Sequence, residues 1–248
     1  MTRHPVSVQL YSVRDALAAD AGATLQRLAD LGLHHVEPFG LADAADALEP
    51  ALATTGLTAP TAHASLLGGA HEAAFAAATR LGVITLIDPY VPAERWTTRD
   101  DVAALAAELS VVARLAADQG LQVGYHNHWW ELETLIDGTA ALEVFADELG
   151  GLVVLELDTY WSAVGGVDPV ELLGRLGERV VALHIKDGPV TLDIELQQPA
   201  GHGAMPIADI LAAAPHARPI IEFDAYAGDL FDGIADSLAF LRTLGVEA

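Results

Sequence analysis

The sequence predicts an α/β fold, a single-domain (β/α)8 barrel, and three observations lead there. Short runs rich in β-branched residues recur along the 248 residues, and nearly every run is followed by a longer Ala/Leu-rich stretch with helical spacing. Eight such strand–helix pairs fit one domain of this length. Parallel strands need crossover helices, and a closed ring of eight leaves no open edge. An open doubly wound sheet is the alternative, but no G-x-G-x-x-G follows the first strand.

In chain order the strands are expected at residues 6–11, 35–39, 58–64, 83–89, 122–128, 153–159, 180–186 and 219–224. Helices are expected at 23–31, 42–54, 69–81, 98–119, 139–149, 169–176, 206–214 and 230–244. Gly32, Gly56, Gly82, Gly120 and Gly150 stand where the first five helices should stop. The sixth opens with Asp168-Pro169, an N-cap residue before a proline at the first helical position. Gly201-His202-Gly203 reads as a turn before Pro206 or as a loop approaching ligand, and Gly245 closes the last helix. No Pro/Ser linker, low-complexity tract or single-sign charge block divides the chain.

Apolar residues make up 52% of the chain and charged residues 19%, which excludes disorder. A compact domain of this size buries about 70–75% of its unfolded surface. Twelve Lys plus Arg against 35 Asp plus Glu give a net charge of −23, which repels phosphate backbones and anionic lipid. Neither nucleic acid nor a membrane is an expected partner. There is no cysteine, so any metal must be held by His and carboxylate. Residues 1–10 hold no long apolar leader core and no run of about 18 apolar residues occurs, so a cytoplasmic protein is expected.

In such a barrel the site forms at the C-terminal ends of the strands. Those ends are polar: Gln9, Glu37, His63 and Asp88, then the pairs His126/His128, Glu156/Asp158, His184/Lys186 and Glu222/Asp224. Residues two apart on a strand face the same way, so each pair presents two ionisable groups to the barrel mouth. Burying so many charges uncompensated costs several kcal/mol each, and a divalent cation is the natural balance. Mixed N/O donors suit Mn, Co, Mg, Zn or Fe.

Lys186 is the only lysine and offers a compact charge or a tunable base, or else an ion pair with Asp187 or another nearby acid. His126 and His128 point together into the mouth, with Glu131 in a loop able to fold back beside them; the plain alternative is two histidines hydrogen-bonded in the core. Phe39, Trp129, Trp130, Tyr160 and Trp161 cluster at strand ends, where flat rings can stack on sugar C–H faces. His4, His34, His35, His71 and His216 read as surface or structural, and the acidic runs at 43–49 and 100–108 as solvated helix faces.

The segments Val8-Gln9-Leu10-Tyr11-Ser12-Val13-Arg14, Tyr125-His126-Asn127-His128 with Glu131, Leu157-Asp158-Thr159-Tyr160-Trp161, His184-Ile185-Lys186-Asp187 and Ile221-Glu222-Phe223-Asp224 resemble the sugar phosphate isomerase/epimerase group. That group shares the xylose isomerase-like TIM barrel, and the resemblance covers almost all of residues 1–248. It implies a divalent-metal site on the last four strands, with Asp158, His184 and Glu222 in the places of the family's Asp, His and second Glu ligands. The family's first ligand is normally a Glu at the end of the fifth strand. Here His126 holds that place and Glu131 follows; either completes the coordination, with Glu131 the favoured ligand and His126 or His128 then the acid/base.

The activity so implied is isomerisation or epimerisation of a small-molecule sugar, keto sugar or cyclitol by proton transfer beside a carbonyl, through a metal-stabilised enediolate. Glu222 or a histidine of residues 125–128 is the expected base, Lys186 or His63 steadies the negative oxygen, and Gln9, Glu37, His63 and Trp161 contact substrate. One conspicuous cation near the mouth argues against a phosphorylated substrate. The rivals are a lyase or dehydratase using the same intermediate, a phosphodiesterase that the −23 charge disfavours, and a non-catalytic sugar-binding barrel. Homo-oligomerisation is left open.

Overall fold

The structure, a computed structural model, describes residues 4–247. Eight parallel strands form the barrel: β1 (Ser7–Gln9), β2 (His35–Glu37), β3 (Thr61–His63), β4 (Thr85–Asp88), β5 (Gln122–His126), then β8 (Val154–Asp158), β9 (Val180–Ile185) and β10 (Arg218–Ile221). A short antiparallel hairpin, β6 (Leu135–Ile136) with β7 (Thr139–Ala140), interrupts the series outside the ring. The strand order is β2-β1-β10-β9-β8-β5-β4-β3, and the ring closes between β2 and β3 through the isolated parallel bridge of His35 with Thr58. Each of the eight expected strands is present, and so is the single domain.

Helices α1 (Arg14–Ala19) and α2 (Ala21–Asp30) cross from β1 to β2, α3 (Leu41–Thr55) to β3, α4 (His71–Leu81) to β4 and α5 (Arg99–Ala117) to β5. Then α6 (Trp130–Glu133), the hairpin and α7 (Ala141–Glu148) lead to β8, and α8 (Thr159–Val164) with α9 (Pro169–Leu176) leads to β9. Finally α10 (Ile207–Ala213) leads to β10, and α11 (Leu230–Thr243) completes the outer layer. Thr98 and Asp101 form a reciprocal capping box on α5, and Asp168 Oδ1 accepts from the amides of Val170 (2.8 Å) and Glu171 (3.1 Å) ahead of Pro169.

Strand alternation sorts side chains between the two layers. On β5 the Tyr125 ring packs against Trp96 (5.3 Å) and Phe145 (5.2 Å) in the apolar layer beneath the helices, while the next residue, His126, belongs to a polar cluster. Most other apolar residues of the barrel strands join one continuous buried core, while Ile87, Val154, Ala182 and Ile220 are buried apart from it.

The structure departs from expectation where strands end. The first strand stops at Gln9, whose side-chain oxygen accepts from Tyr11 N (3.1 Å) and starts a 3-10 turn over Leu10–Val13. The sixth barrel strand stops at Asp158, whose carboxylate accepts from Trp161 N (2.8 Å) and starts α8. In both cases a polar strand-end side chain captures a backbone amide that would otherwise extend the ladder. Among the described residues no helix is long and apolar enough to cross a membrane. Residues 1–3, part of the segment read for a leader, lie outside the described residues.

Replacing Asp168 by Ala removes the cap of α9 and is expected to cost about 1 kcal/mol. Thermal unfolding followed by circular dichroism should show a midpoint about 2–4 °C lower.

Candidate metal centre

Three buried imidazoles and four buried carboxylates converge on the barrel axis at the C-terminal end. His184 is central. Its Nδ1 meets Glu222 Oε2 at 2.5 Å, and its Nε2 meets Glu37 Oε1 at 2.9 Å and Glu156 Oε2 at 3.1 Å. Glu156 Oε2 also meets His63 Nε2 at 2.5 Å and lies 3.2 Å from His126 Nδ1 without hydrogen-bond alignment. Asp158 projects beside them, with Oδ2 3.9 Å from His126 Nε2. Two overlapping groups have ligand atoms within 4.8 Å of one another: His63, His126, Glu156 and His184, and His126, Asp158, His184 and Glu222.

Lys186 follows the same strand and closes the cluster. Its Nζ lies 2.9 Å from Asp158 Oδ2, 2.8 Å from Glu222 Oε2 and 2.8 Å from Asp224 Oδ2. The ion pair is therefore with these three acids. Adjacent Asp187 turns away and pins the following loop, accepting from Gly188 N (2.8 Å), Gly201 N (2.9 Å) and Met205 N (3.0 Å). That pinning makes Gly201-His202-Gly203 a tied turn.

Electrostatics follow from burial and crowding. Burial opposes the charged form of His184, but Glu156 and Glu222 overcome it and hold the imidazole well above its ordinary value. His63 rises for the same reason, burial being outweighed by Glu156 and Glu37. His126 moves the other way, well down, through burial and the neighbouring His184. Burial raises Glu37, reinforced by the like charge of Glu156, and burial raises Asp158 against the pull of Lys186. Glu156 and Glu222 stay well below the usual carboxylate range because His184 and its cationic neighbours outweigh burial. Lys186 is held well above its ordinary value, since its three carboxylates defeat the cost of burial.

A cavity of about 280 Å³ opens over the cluster. His63, His126, His128, Lys186, Glu222 and Asp224 give its ionisable wall, and Tyr11, Phe39 and Tyr90 its aromatic one. The His128 ring stacks on Trp130 at 4.3 Å, and its Nδ1 has no hydrogen-bond partner.

Several sequence expectations change place. Glu131 lies outside both groups: its Oε1 accepts from Tyr125 OH (2.7 Å) and its Oε2 from His128 N (2.9 Å). The first turn of α6 carries it back toward Tyr125, on the helix-facing side of β5, and Glu156 is the acid that joins the cluster instead. Gln9 and Glu37 are fully buried and do not line the cavity, so of the four expected substrate contacts only His63 does. Trp161 is buried under Lys186 Nζ, 5.4 Å from its ring, and its backbone amide serves Asp158. Asp88 accepts from Leu66 N (2.9 Å) and Tyr90 N (3.2 Å), a loop-holding role.

By sequence Glu156 is a strand-end acid to which no role falls. Its position two residues before Asp158, on the same strand face, is the signal that finds it. Tyr11 and Tyr90 carry no such signal, because each lies just past a strand and enters the wall only through its loop.

The cluster fits a divalent cation by a direct test. Glu156 Oε1, Glu37 Oε2 and His126 Nδ1 are buried without a hydrogen-bond partner, and Asp158 Oδ2, ion-paired with Lys186 Nζ at 2.9 Å, accepts no aligned hydrogen bond. Unpaired buried donors and acceptors cost free energy, and imidazole with carboxylate is the donor set of divalent metals. This is a closed α/β barrel with a His/carboxylate group able to hold a metal ion at its C-terminal mouth.

A profile of the xylose isomerase-like TIM barrel family matches residues 18–244, and the chain belongs to that family. An inosose dehydratase from Clostridium beijerinckii is 32% identical over 83 residues, 34% of this chain and 27% of that protein. The match thus spans about a quarter of that relative's length. A sugar phosphate isomerase/epimerase structure from Parabacteroides distasonis superimposes with a TM-score of 0.82 at 24% identity, covering 96% of this chain and 93% of its own. The IOLI protein, solved with a zinc atom, gives a TM-score of 0.69 at 13% identity over 97% and 98% of the two chains. The two structures share this fold.

Manganese at one hundred times its dissociation constant should stabilise the native chain by about 2.7 kcal/mol, raising the thermal midpoint by roughly 5–10 °C. The same scan on Asp158→Asn combined with Glu222→Gln should show no rise.

Proposed function

We propose that the protein is a divalent-metal-dependent enzyme that moves a proton beside a carbonyl of a sugar, keto sugar or cyclitol, as an isomerase or epimerase. The observation that carries this reading is the set of orphaned, buried carboxylate and imidazole atoms lying directly under a sugar-sized cavity.

His126, Asp158, His184 and Glu222 are the proposed ligands. Glu156 Oε2 already faces three imidazoles, whereas Asp158 Oδ2 accepts no hydrogen bond, and the Nε2 of His184 is taken by Glu37 and Glu156. Two imidazoles among the four suit Mn, Co or Zn better than Mg. Bound there, such a cation supplies Lewis acidity toward neighbouring substrate oxygens, which makes the adjacent C–H acidic.

The chain's own groups do the rest. Glu222 and His128 both line the cavity from different loops, so a proton taken from one carbon by one of them can be returned at a neighbouring position by the other. His128 is the freer of the two, braced by Trp130 and without a partner on Nδ1. Lys186, kept charged by three carboxylates, offers a hydrogen bond to the oxygen on which negative charge grows, and His63 faces the same space. Tyr11, Phe39 and Tyr90 exclude water and stack on C–H faces of the ring. Among the described residues Lys186 is the only lysine or arginine in the wall and is already paired with three carboxylates, which argues for an uncharged substrate.

A second reading is elimination, in which the acid protonates a departing hydroxyl or glycosidic oxygen beside the new carbanion. The local match to an inosose dehydratase favours it.

Keto sugars and cyclitols incubated with the protein in deuterium oxide should take up deuterium at the carbon beside the carbonyl, and chelator should abolish uptake. Recovered epimer or isomer supports the first reading, and an unsaturated product with loss of water supports the second. His128→Asn should lower turnover about 10²–10⁴-fold. Uptake unaffected by both chelator and His128→Asn would refute the assignment.

A further inference from the structure

Glu37 is the one carboxylate of the cluster that belongs to neither candidate ligand group and does not reach the cavity. It is nevertheless fully buried, and a buried carboxylate without a task is costly. Its Oε1 accepts from Gln9 Nε2 at 2.9 Å and from His184 Nε2 at 2.9 Å, and lies 3.4 Å from His63 Nε2. Gln9 is fixed in turn, because its oxygen holds Tyr11 N (3.1 Å) at the start of the 3-10 turn. A chain of hydrogen bonds therefore runs from the backbone of the first loop through Gln9 and Glu37 to one nitrogen of His184.

The consequence is at the other nitrogen. An imidazole that donates Nε2–H to a carboxylate has its lone pair on Nδ1, and the Nδ1 of His184 is the atom that faces Glu222. A carboxylate behind a metal-binding histidine fixes tautomer and ring direction together. We infer that Glu37, held by Gln9, is a positioning residue for the metal centre: it fixes His184 with Nδ1 toward the cation set of Asp158 and Glu222. The inference rests on the metal-dependent reading above and assigns Gln9 and Glu37 a task away from substrate.

The test is metal binding by protein stripped with chelator, titrated with manganese in a calorimeter and with cobalt in an absorption spectrometer. Wild type, Glu37→Ala, Glu37→Gln and Gln9→Met are compared. Glu37→Ala should keep the wild-type stoichiometry, bind manganese about 10–100-fold more weakly and shift the cobalt bands. Glu37→Gln, whose amide oxygen still accepts from His184, should recover most of the affinity and the wild-type bands. Gln9→Met should weaken binding by a smaller factor. If Glu37→Ala does not fold, Glu37→Gln and Gln9→Met decide the matter by the same two readouts.

Wild-type affinity and bands in Glu37→Ala and Gln9→Met would overturn the inference while leaving the metal reading intact. Loss of all binding in both Glu37→Ala and Glu37→Gln, with the metal-free fold unchanged by circular dichroism, would make Glu37 a ligand and also overturn it. Wild-type protein that gives neither heat nor cobalt bands would remove the metal reading itself.

Discussion

The mouth of this barrel is built around an excess of buried negative charge. Glu37, Glu156, Asp158, Glu222 and Asp224 crowd one lysine and three imidazoles, in a region from which water is largely excluded. Such a cluster holds together only if protons or cations supply the missing positive charge. The opposite displacements of neighbouring groups express that shortage: His184 and Lys186 cling to their protons, while Glu37 and Asp158 resist ionising. The His and carboxylate atoms gathered there are a group able to hold a metal ion.

Fold and site divide the labour along single strands. On β5, Tyr125 serves the outer packing and His126 the polar cluster; on β8, Leu155 and Leu157 are core residues while Glu156 and Asp158 meet the histidines. The strand-end positions also do structural work. Gln9 and Asp158 each capture a backbone amide that ends their strand, so residues of the polar network at the mouth also set where the loops begin.

Period-two alternation and glycine stops made the eight strand–helix units legible in the sequence, because those signals are local. The convergence of Asp158, His184 and Glu222 was legible too, since closing the barrel forces its strand ends together. Glu131 was misplaced because its neighbour in space is Tyr125, a residue on the opposite face of the same strand, and only the turn of α6 brings them into contact. Gln9 and Glu37 were placed at the right rim but at the wrong depth: strand position gives direction, not distance from solvent. The short helices α1, α6 and α8 lack the length for a periodic pattern, and of the three only α8 opens on a side-chain cap, the Asp158 carboxylate.

The closing joint between β2 and β3 gives the polar cluster a mechanical meaning. Backbone pairing there is thin, reduced to the His35–Thr58 bridge and the bond from His63 N to Pro38 O (2.7 Å), whereas the other neighbouring strands share ladders, with a register shift between β8 and β9. Glu37 stands on one lip of that seam and His63 on the other, 3.4 Å apart. Parting the ring at its weakest stitch would tear these two ionisable groups away from each other, so the charged heart doubles as a clasp. The staves of the barrel are fastened where they are least woven.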